Sequence, residues 1–168
     1  MSTEKVTRVD REDHKALALW AAECAEHVLP HFEEKYPKDD RPRRAIEAAR
    51  AWVRGDIGVG AARGAASAAH AAARDADEGP PRAAARAAGH AAATAHAAGH
   101  AKAAGAYAAK AAAAAGAGTE QDWQSARLPV HLRAVLYPRK GDVGGGAGAG
   151  DRLRGERRVA RTSGPECS

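Results

Sequence analysis

Alanine is the residue that most limits what this chain can fold into. It supplies most of the apolar positions, whereas Leu, Ile, Val and Phe together account for only 19 of the 168 residues. So few large side chains cannot build an ordinary core, and a content this low is also typical of disordered chains. Alanine is, however, the best helix former, and small side chains allow helix axes to approach closely. The composition therefore predicts a single all-α bundle, packed largely through alanine and of modest stability.

Apolar periodicity and breaking residues divide the first third of the chain into three helices. Asp10 or Asp13 is expected to cap the first, and the sequence PHFEEKYP forms a short second one. Asp40 is the expected N-cap of the third helix, which ends at Gly55. The apolar stripe predicted for the first helix consists of Leu17, Trp20, Cys24 and Val28.

The alanine-rich middle of the chain predicts a helical hairpin. Helices are expected over 59–76 and 82–98, separated by the breaking sequence DEGPP. With the turn near residues 79 and 80, antiparallel packing sets His70 beside Gly89 and His90. Further helices are predicted over 101–115, in EQDWQSARL and from Pro129 to Tyr137, and no segment has the alternation of a strand. Close helix contact is the expected reason for four glycines within helical segments, namely Gly64, Gly89, Gly99 and Gly105.

Composition and charge set the expected domain boundaries. Residues 1–9 lack periodicity and residues 139–168 are rich in Gly and Arg, so both are predicted to be disordered around a domain over 10–138. Residues 1–138 carry 19 Lys and Arg against 17 Asp and Glu, so most of the net charge of +5 lies in the tail. This balance argues against nucleic-acid binding by the body, although AYAAKAAAAAGAG and the basic tail keep that alternative open.

The cysteine content and the N-terminal sequence predict a soluble, cytoplasmic protein. Cys24 and Cys167 are the two cysteines, and MSTEKVTRVDRED does not have the pattern of a secretory signal. The alanine run over 101–118 contains Lys102 and Lys110 and is not expected to cross a membrane.

The sequence GHAAATAHAAGH raises the question of a metal site. His96 and His100 are four residues apart, which on an α-helix is the spacing of zinc ligands on one face. His90 lies too far along a straight helix to join them. Residues 79–119 contain no Asp or Glu, so the stretch lacks a carboxylate ligand and the general base of a metallohydrolase. Hydrogen bonding of these histidines to neighbouring helices is the preferred interpretation.

A second group of ligand-type residues consists of Cys24, His27 and His31. Residues 24 and 31 fall on nearly one line of a helix, but Pro30 interrupts that line and Cys24 continues the apolar stripe. A Cys/His nucleophile pair would lack an orienting third group and an oxyanion site. We therefore expect no catalytic residues and no cofactor, with a metal-binding protein or metalloenzyme as the alternative.

Three stretches resemble a known family, the immunity proteins of bacterial polymorphic toxin systems in the immunity-five-like group. They are LALWAAECAEHVLPHFEEKYPKDDRPRRAIEAARAWVRGDI, SAAHAAARDAD and AARAAGHAAATAHAAGHAKAAGAYAAKA. The resemblance covers roughly residues 14–137. It implies an all-helical, non-enzymatic cytosolic protein that binds and neutralises a cognate toxin. It provides no motif for the binding residues, and it leaves the toxin and the oligomeric state open.

A cluster of acidic residues is the predicted partner interface. Glu33, Glu34, Asp39 and Asp40 surround Tyr36 within eight residues, a group we call the acidic turn. Charged turns are usually only solvated surface. Many toxins act on nucleic acid through basic active sites, however, and an acidic patch with an aromatic anchor suits such a partner.

Overall fold

The computed structural model describes residues 9–139, and the expectations for residues 1–8 and 140–168 lie outside this range. Within it the chain forms eight helices and no strand, which confirms the all-α prediction. The helices are α1 Arg11–Val28, α2 Pro30–Glu33, α3 Arg41–Arg54, α4 Val59–Asp75, α5 Pro80–Ala93, α6 His100–Ala114, α7 Glu120–Arg127 and α8 Val130–Leu136. None of the described helices is long and apolar enough to span a bilayer.

The ends of α1 and α3 follow from their capping residues. Asp10 caps α1, since its carboxylate accepts a hydrogen bond from the backbone N–H of Asp13 at 2.8 Å. Asp40 occupies the predicted N-cap position of α3 without a side-chain cap bond. Gly55 ends α3 in the left-handed conformation with φ 82°, which glycine adopts without steric strain.

Alanine helix α5 is the centre of the bundle. It contacts α1, α2, α3, α4 and α6, and ten of its fourteen residues are buried. Packing this dense around one helix is possible because nearly all of its buried side chains are single methyl groups. The larger core side chains come from the flanking elements, chiefly Leu17, Trp20, Leu29, Phe32, Ile46 and Leu132.

The α4–α5 hairpin has the predicted register. The rings of His70 and His90 are 4.8 Å apart between centroids, and a Cβ added to Gly89 would lie 2.7 Å from the His70 ring. Close contact also explains Gly105, where a Cβ would approach the Trp20 ring to 2.7 Å. The expectation is wrong for Gly64 and Gly99, because a Cβ at either position meets no atom within 4 Å.

The predicted continuation of α5 to residue 98 is wrong. The helix ends at Ala93, because the next backbone bonds tighten to three-residue turns from Ala95 N to Ala92 O at 3.2 Å and from His96 N to Ala93 O at 3.1 Å. The Thr94 hydroxyl adds a bond to the His90 carbonyl at 3.0 Å. The chain then turns, and α6 packs back against α5.

Candidate partner-binding site

The acidic turn runs from the last residue of α2 to the residue before α3, and most of its carboxylates are paired with arginines. Glu33 accepts two hydrogen bonds from Arg43, at 2.6 and 3.0 Å. Asp39 accepts two from Arg41, at 2.9 and 2.6 Å, and this pairing lowers the pKa of Asp39. The structure thus brings the predicted acidic residues to one turn and adds the arginines of α3 to it.

The outer side of the acidic turn carries charges of both signs. Asp40 and Arg44 form an exposed pair at 2.7 Å. Glu34 is exposed and its side chain has no polar partner among the described residues. Lys35 and Lys38 are exposed between these acids, so long-range attraction of a basic partner is weaker than the acidic residues alone would suggest.

Tyr36 connects the acidic turn to the rest of the bundle. Its side chain is half-buried, and its hydroxyl accepts a hydrogen bond from the backbone N–H of Asp77 at 2.9 Å. Its ring packs against Phe32 with centroids 5.1 Å apart. The Lys35 ammonium group pairs with the Asp77 carboxylate at the same junction. These contacts join the turn to the segment between α4 and α5.

Cys24 and His27, proposed above as alternative metal ligands with His31, have different environments. Cys24 is fully buried in the core, and burial strongly raises the pKa of its thiol. His27 instead contacts α7, where its Nδ1 hydrogen-bonds to Glu120 Oε2 at 2.7 Å and its ring stacks on Trp123 at 3.8 Å. Across residues 9–139, no three His, Cys, Asp or Glu side chains are grouped closely enough to hold a metal ion.

A buried polar network holds α7 against α1 and α6, and sequence reasoning missed it. Gln124 is buried and donates to the Gly105 carbonyl at 3.0 Å and to Glu120 Oε1 at 3.1 Å. Trp20 Nε1 donates a hydrogen bond to the backbone carbonyl of Gln124 at 2.9 Å. The short segment EQDWQSARL gave no sign that Glu120 and Gln124 face inward, because both residue types are usually exposed.

The histidines of GHAAATAHAAGH do not lie on one helix, as the spacing argument for His96 and His100 assumed, although the rings of these two residues are still 4.8 Å apart. His96 lies in the turn after α5, and His100 is the first residue of α6. The turn brings His100 back to His90, with their Nδ1 atoms 3.2 Å apart. The Tyr107 ring stacks on His90 with centroids 5.3 Å apart. Hydrogen bonding between helices, the preferred interpretation, describes the pair of His90 and His100 but not the buried Nδ1 of His70, which has no hydrogen-bond partner among the described residues.

A groove of about 480 Å³ lies beside these rings, and we call it the histidine groove. Its lining residues come from α4 and α5 and are Ser67, His70, Arg74, Arg86 and His90. Burial, with a smaller contribution from Arg86 and Arg74, lowers the pKa of His70. Burial and then His70, His100 and Arg86 lower the pKa of His90 to about 4. Both imidazoles are therefore neutral at pH 7.

A family model matches residues 7–131, the span from just before α1 to the second residue of α8. No curated protein and no solved structure matches the chain significantly. Because the matched span covers well over half of the sequence, the chain belongs to the family described as Imm-5 like putative immunity protein.

Proposed function

We propose that this protein is an immunity protein that binds a cognate protein toxin of a bacterial polymorphic toxin system and neutralises it without catalysis. The observation that carries the proposal is the family match, which takes in α1 to α7 and the start of α8. Immunity of this kind requires a folded surface that occupies or distorts the toxin. The producing cell needs that surface in its cytoplasm, where an unneutralised toxin would act.

We place the toxin contact at the acidic turn. Two features of the turn support this location. Glu34 and Asp40 are exposed. The pairs of Glu33 with Arg43 and of Asp39 with Arg41 restrain the backbone on which these two residues lie. Preformed surfaces lose little conformational entropy on binding, so such a turn favours tight association. Glu34 and Asp40 are the residues whose carboxylates a basic partner reaches first.

The function is tested by co-expressing the chain with the toxin encoded beside it in the genome. We expect restored growth of the producing cells and a stable complex of the two purified proteins. Growth arrest together with the absence of a complex would refute the immunity function.

The location of the contact is tested with a double variant, Glu34→Ser and Asp40→Ser, which leaves the Arg43 and Arg41 pairs intact. Its matched control is Glu23→Ser with Asp56→Ser, which likewise removes one exposed carboxylate without a polar partner in the described range and one exposed carboxylate paired with an arginine, Asp56 with Arg54 at 2.8 Å. We expect slower toxin association and a weaker salt dependence for the first variant alone. Equal association rates for both variants would place the contact on another face.

A further inference from the structure

The central helix α5 reaches the surface along a single basic stripe. Apart from Pro80, its positions that are not buried are Arg82, Arg86 and His90, spaced four residues apart. This spacing places the three side chains on one face of the helix. Arg86 and His90 line the histidine groove, whereas Arg82 is bonded to the Ala76 carbonyl and to Glu78 at the α4–α5 turn.

The side chains that line the histidine groove are hydrogen-bond donors, and none of them is a carboxylate. Helix α4 contributes Ser67, His70 and Arg74 to the histidine groove. On the α6 side lie His100 and Tyr107, and the Arg86 guanidinium lies 5.9 Å from the Tyr107 ring centroid. Since α5 and α6 contain no Asp or Glu at all, neither helix can neutralise the groove.

Arg74 and Arg86 have no carboxylate partner within residues 9–139. Most other arginines of α3 to α5 have one, such as Arg82 with Glu78 at 3.1 Å and Arg41 with Asp39 at 2.6 Å. Two unpaired guanidinium groups beside two imidazoles create a concentrated positive potential in a partly enclosed space. The buried Nδ1 of His70 also lacks a hydrogen-bond partner in the described part of the chain.

We propose that the histidine groove is an oxyanion-binding site, in which Arg74 and Arg86 hold a sulfate, phosphate or carboxylate group and His70 and His90 provide further donors. Guanidinium groups bind such oxyanions through parallel, charge-assisted hydrogen bonds. A metal cation is disfavoured there, although the Nδ1 atoms of His90 and His100 are only 3.2 Å apart, because the two arginines repel it.

Anion binding at this site is coupled to protonation. In the free protein the pKa of His90 is about 4, chiefly through burial and then through the neighbouring His70, His100 and Arg86. The other groups around the two imidazoles are Arg74 on α4 and Tyr107 on α6. A bound dianion favours the imidazolium form, so binding takes up protons and strengthens as the pH falls.

The experiment measures thermal stabilisation of the full chain by sulfate, which remains a dianion over the relevant pH range, at constant ionic strength. We expect a saturable rise in Tm. Arg74→Gln with Arg86→Gln weakens the apparent affinity about tenfold or more. If the double variant does not fold, the single variant Arg74→Gln replaces it in the measurement, because Arg74 is exposed and its substitution leaves the core intact. Arg11→Gln with Lys38→Gln is the control with the same change in charge, and we expect it to bind sulfate as the wild type does.

Two further measurements identify the class of anion that binds and the histidine that takes up a proton on binding. Phosphate and succinate, titrated in the same way, distinguish a phosphate-type ligand from a carboxylate. Lowering the pH from 7.5 to 5.5 is expected to tighten sulfate binding about threefold or more, and His90→Gln is expected to reduce this dependence to the part that His70 contributes. Stabilisation that never saturates, or that is equal in the groove and control variants, is a general salt effect and overturns the proposal. Tight binding of Zn²⁺ without any response to sulfate overturns it as well.

Discussion

The contact between α1, α6 and α7 makes Gly105→Ala the most informative single substitution. A Cβ at Gly105 would lie 2.7 Å from Cη2 of Trp20 and 3.1 Å from Oε1 of Gln124. Neither side chain can move freely. Trp20 is only 3% exposed, and its Nε1 donates to the backbone carbonyl of Gln124. The Gln124 side chain in turn donates to the backbone carbonyl of Gly105. The new methyl group must therefore displace α6 or disrupt both hydrogen bonds.

Opposing effects determine the size of the change. Replacing glycine by alanine within a helix stabilises the folded state by about 1 kcal/mol. Overpacking a filled core costs about 1–3 kcal/mol, and each of the two hydrogen bonds contributes about 1 kcal/mol. Together these contributions lead us to expect that Gly105→Ala lowers the free energy of unfolding by about 2–4 kcal/mol, which corresponds to roughly 3–5 °C of Tm for each kcal/mol.

Gly64→Ala is the matched control, since Gly64 lies inside α4 and a Cβ there meets no atom within 4 Å. Only the helix-propensity gain of about 1 kcal/mol remains at this position. Urea unfolding followed by circular dichroism measures both variants against the wild type. If Gly105→Ala proves as stabilising as Gly64→Ala, α7 does not dock on α6 as described, and the close-contact argument fails.

Three other predictions address the core, the histidines and the thiol. Trp20→Ala is expected to lower the free energy of unfolding by about 3–5 kcal/mol through lost burial and a cavity, and an unchanged melt would place Trp20 at the surface. The unfolded histidines titrate near pH 6.5, whereas the pKa of His90 in the folded state is about 4. The contribution of neutral His90 to the free energy of unfolding is therefore fully present above pH 6.5 and is lost as the pH falls toward 4, a decrease of about 1–2 kcal/mol after allowance for the partial exposure of His90. Urea unfolding at several pH values should show this decrease, and a smaller one for His90→Gln. The Cys24 peptide should remain unmodified by a thiol reagent until the protein unfolds, as mass spectrometry can determine, because its buried thiol resists ionisation; rapid native labelling would show that the core opens there.

Sequence patterns predicted helices well where a single residue type determines the local backbone. Asp10 and Gly55 mark helix ends because of what their side chains, or the lack of one, permit at those positions. The hairpin register followed from the position of the turn alone, and so the contact of His70 with Gly89 and His90 could be predicted. Local chemistry was sufficient for these features.

Tertiary packing decided the features that sequence reasoning missed. The sequence does not indicate that α5 ends at Ala93, because three of the next five residues are alanines, the best helix former, and neither Gly nor Pro occurs before Gly99. That end moves His96 off the helix and brings His100 to His90. The histidine groove likewise depends on the pairing of α4 with α5, although the spacing of Arg82, Arg86 and His90 in an acid-free stretch was a usable signal.

The partner-binding site was predictable only in part. Sequence proximity correctly gathers Glu33, Glu34, Asp39 and Asp40 around one turn, but it does not reveal which carboxylates the arginines of α3 engage. The bond from Asp77 N–H to the Tyr36 hydroxyl spans forty-one positions of sequence and has no local signature. Partner choice for long charged side chains depends on helix packing, which residue spacing alone does not specify.

The alanine surface of α5 also determines how this fold responds to temperature. The heat capacity of unfolding arises mainly from apolar surface that becomes hydrated, and the ten buried residues of α5 are Ala, Gly and Pro, with little such surface each. Unfolding the bundle therefore raises the heat capacity by less than the usual value of about 12–15 cal/mol/K per residue. A small heat-capacity change flattens the curve of unfolding free energy against temperature. We therefore expect the protein to retain more of its stability on cooling than a leucine-rich bundle of the same size.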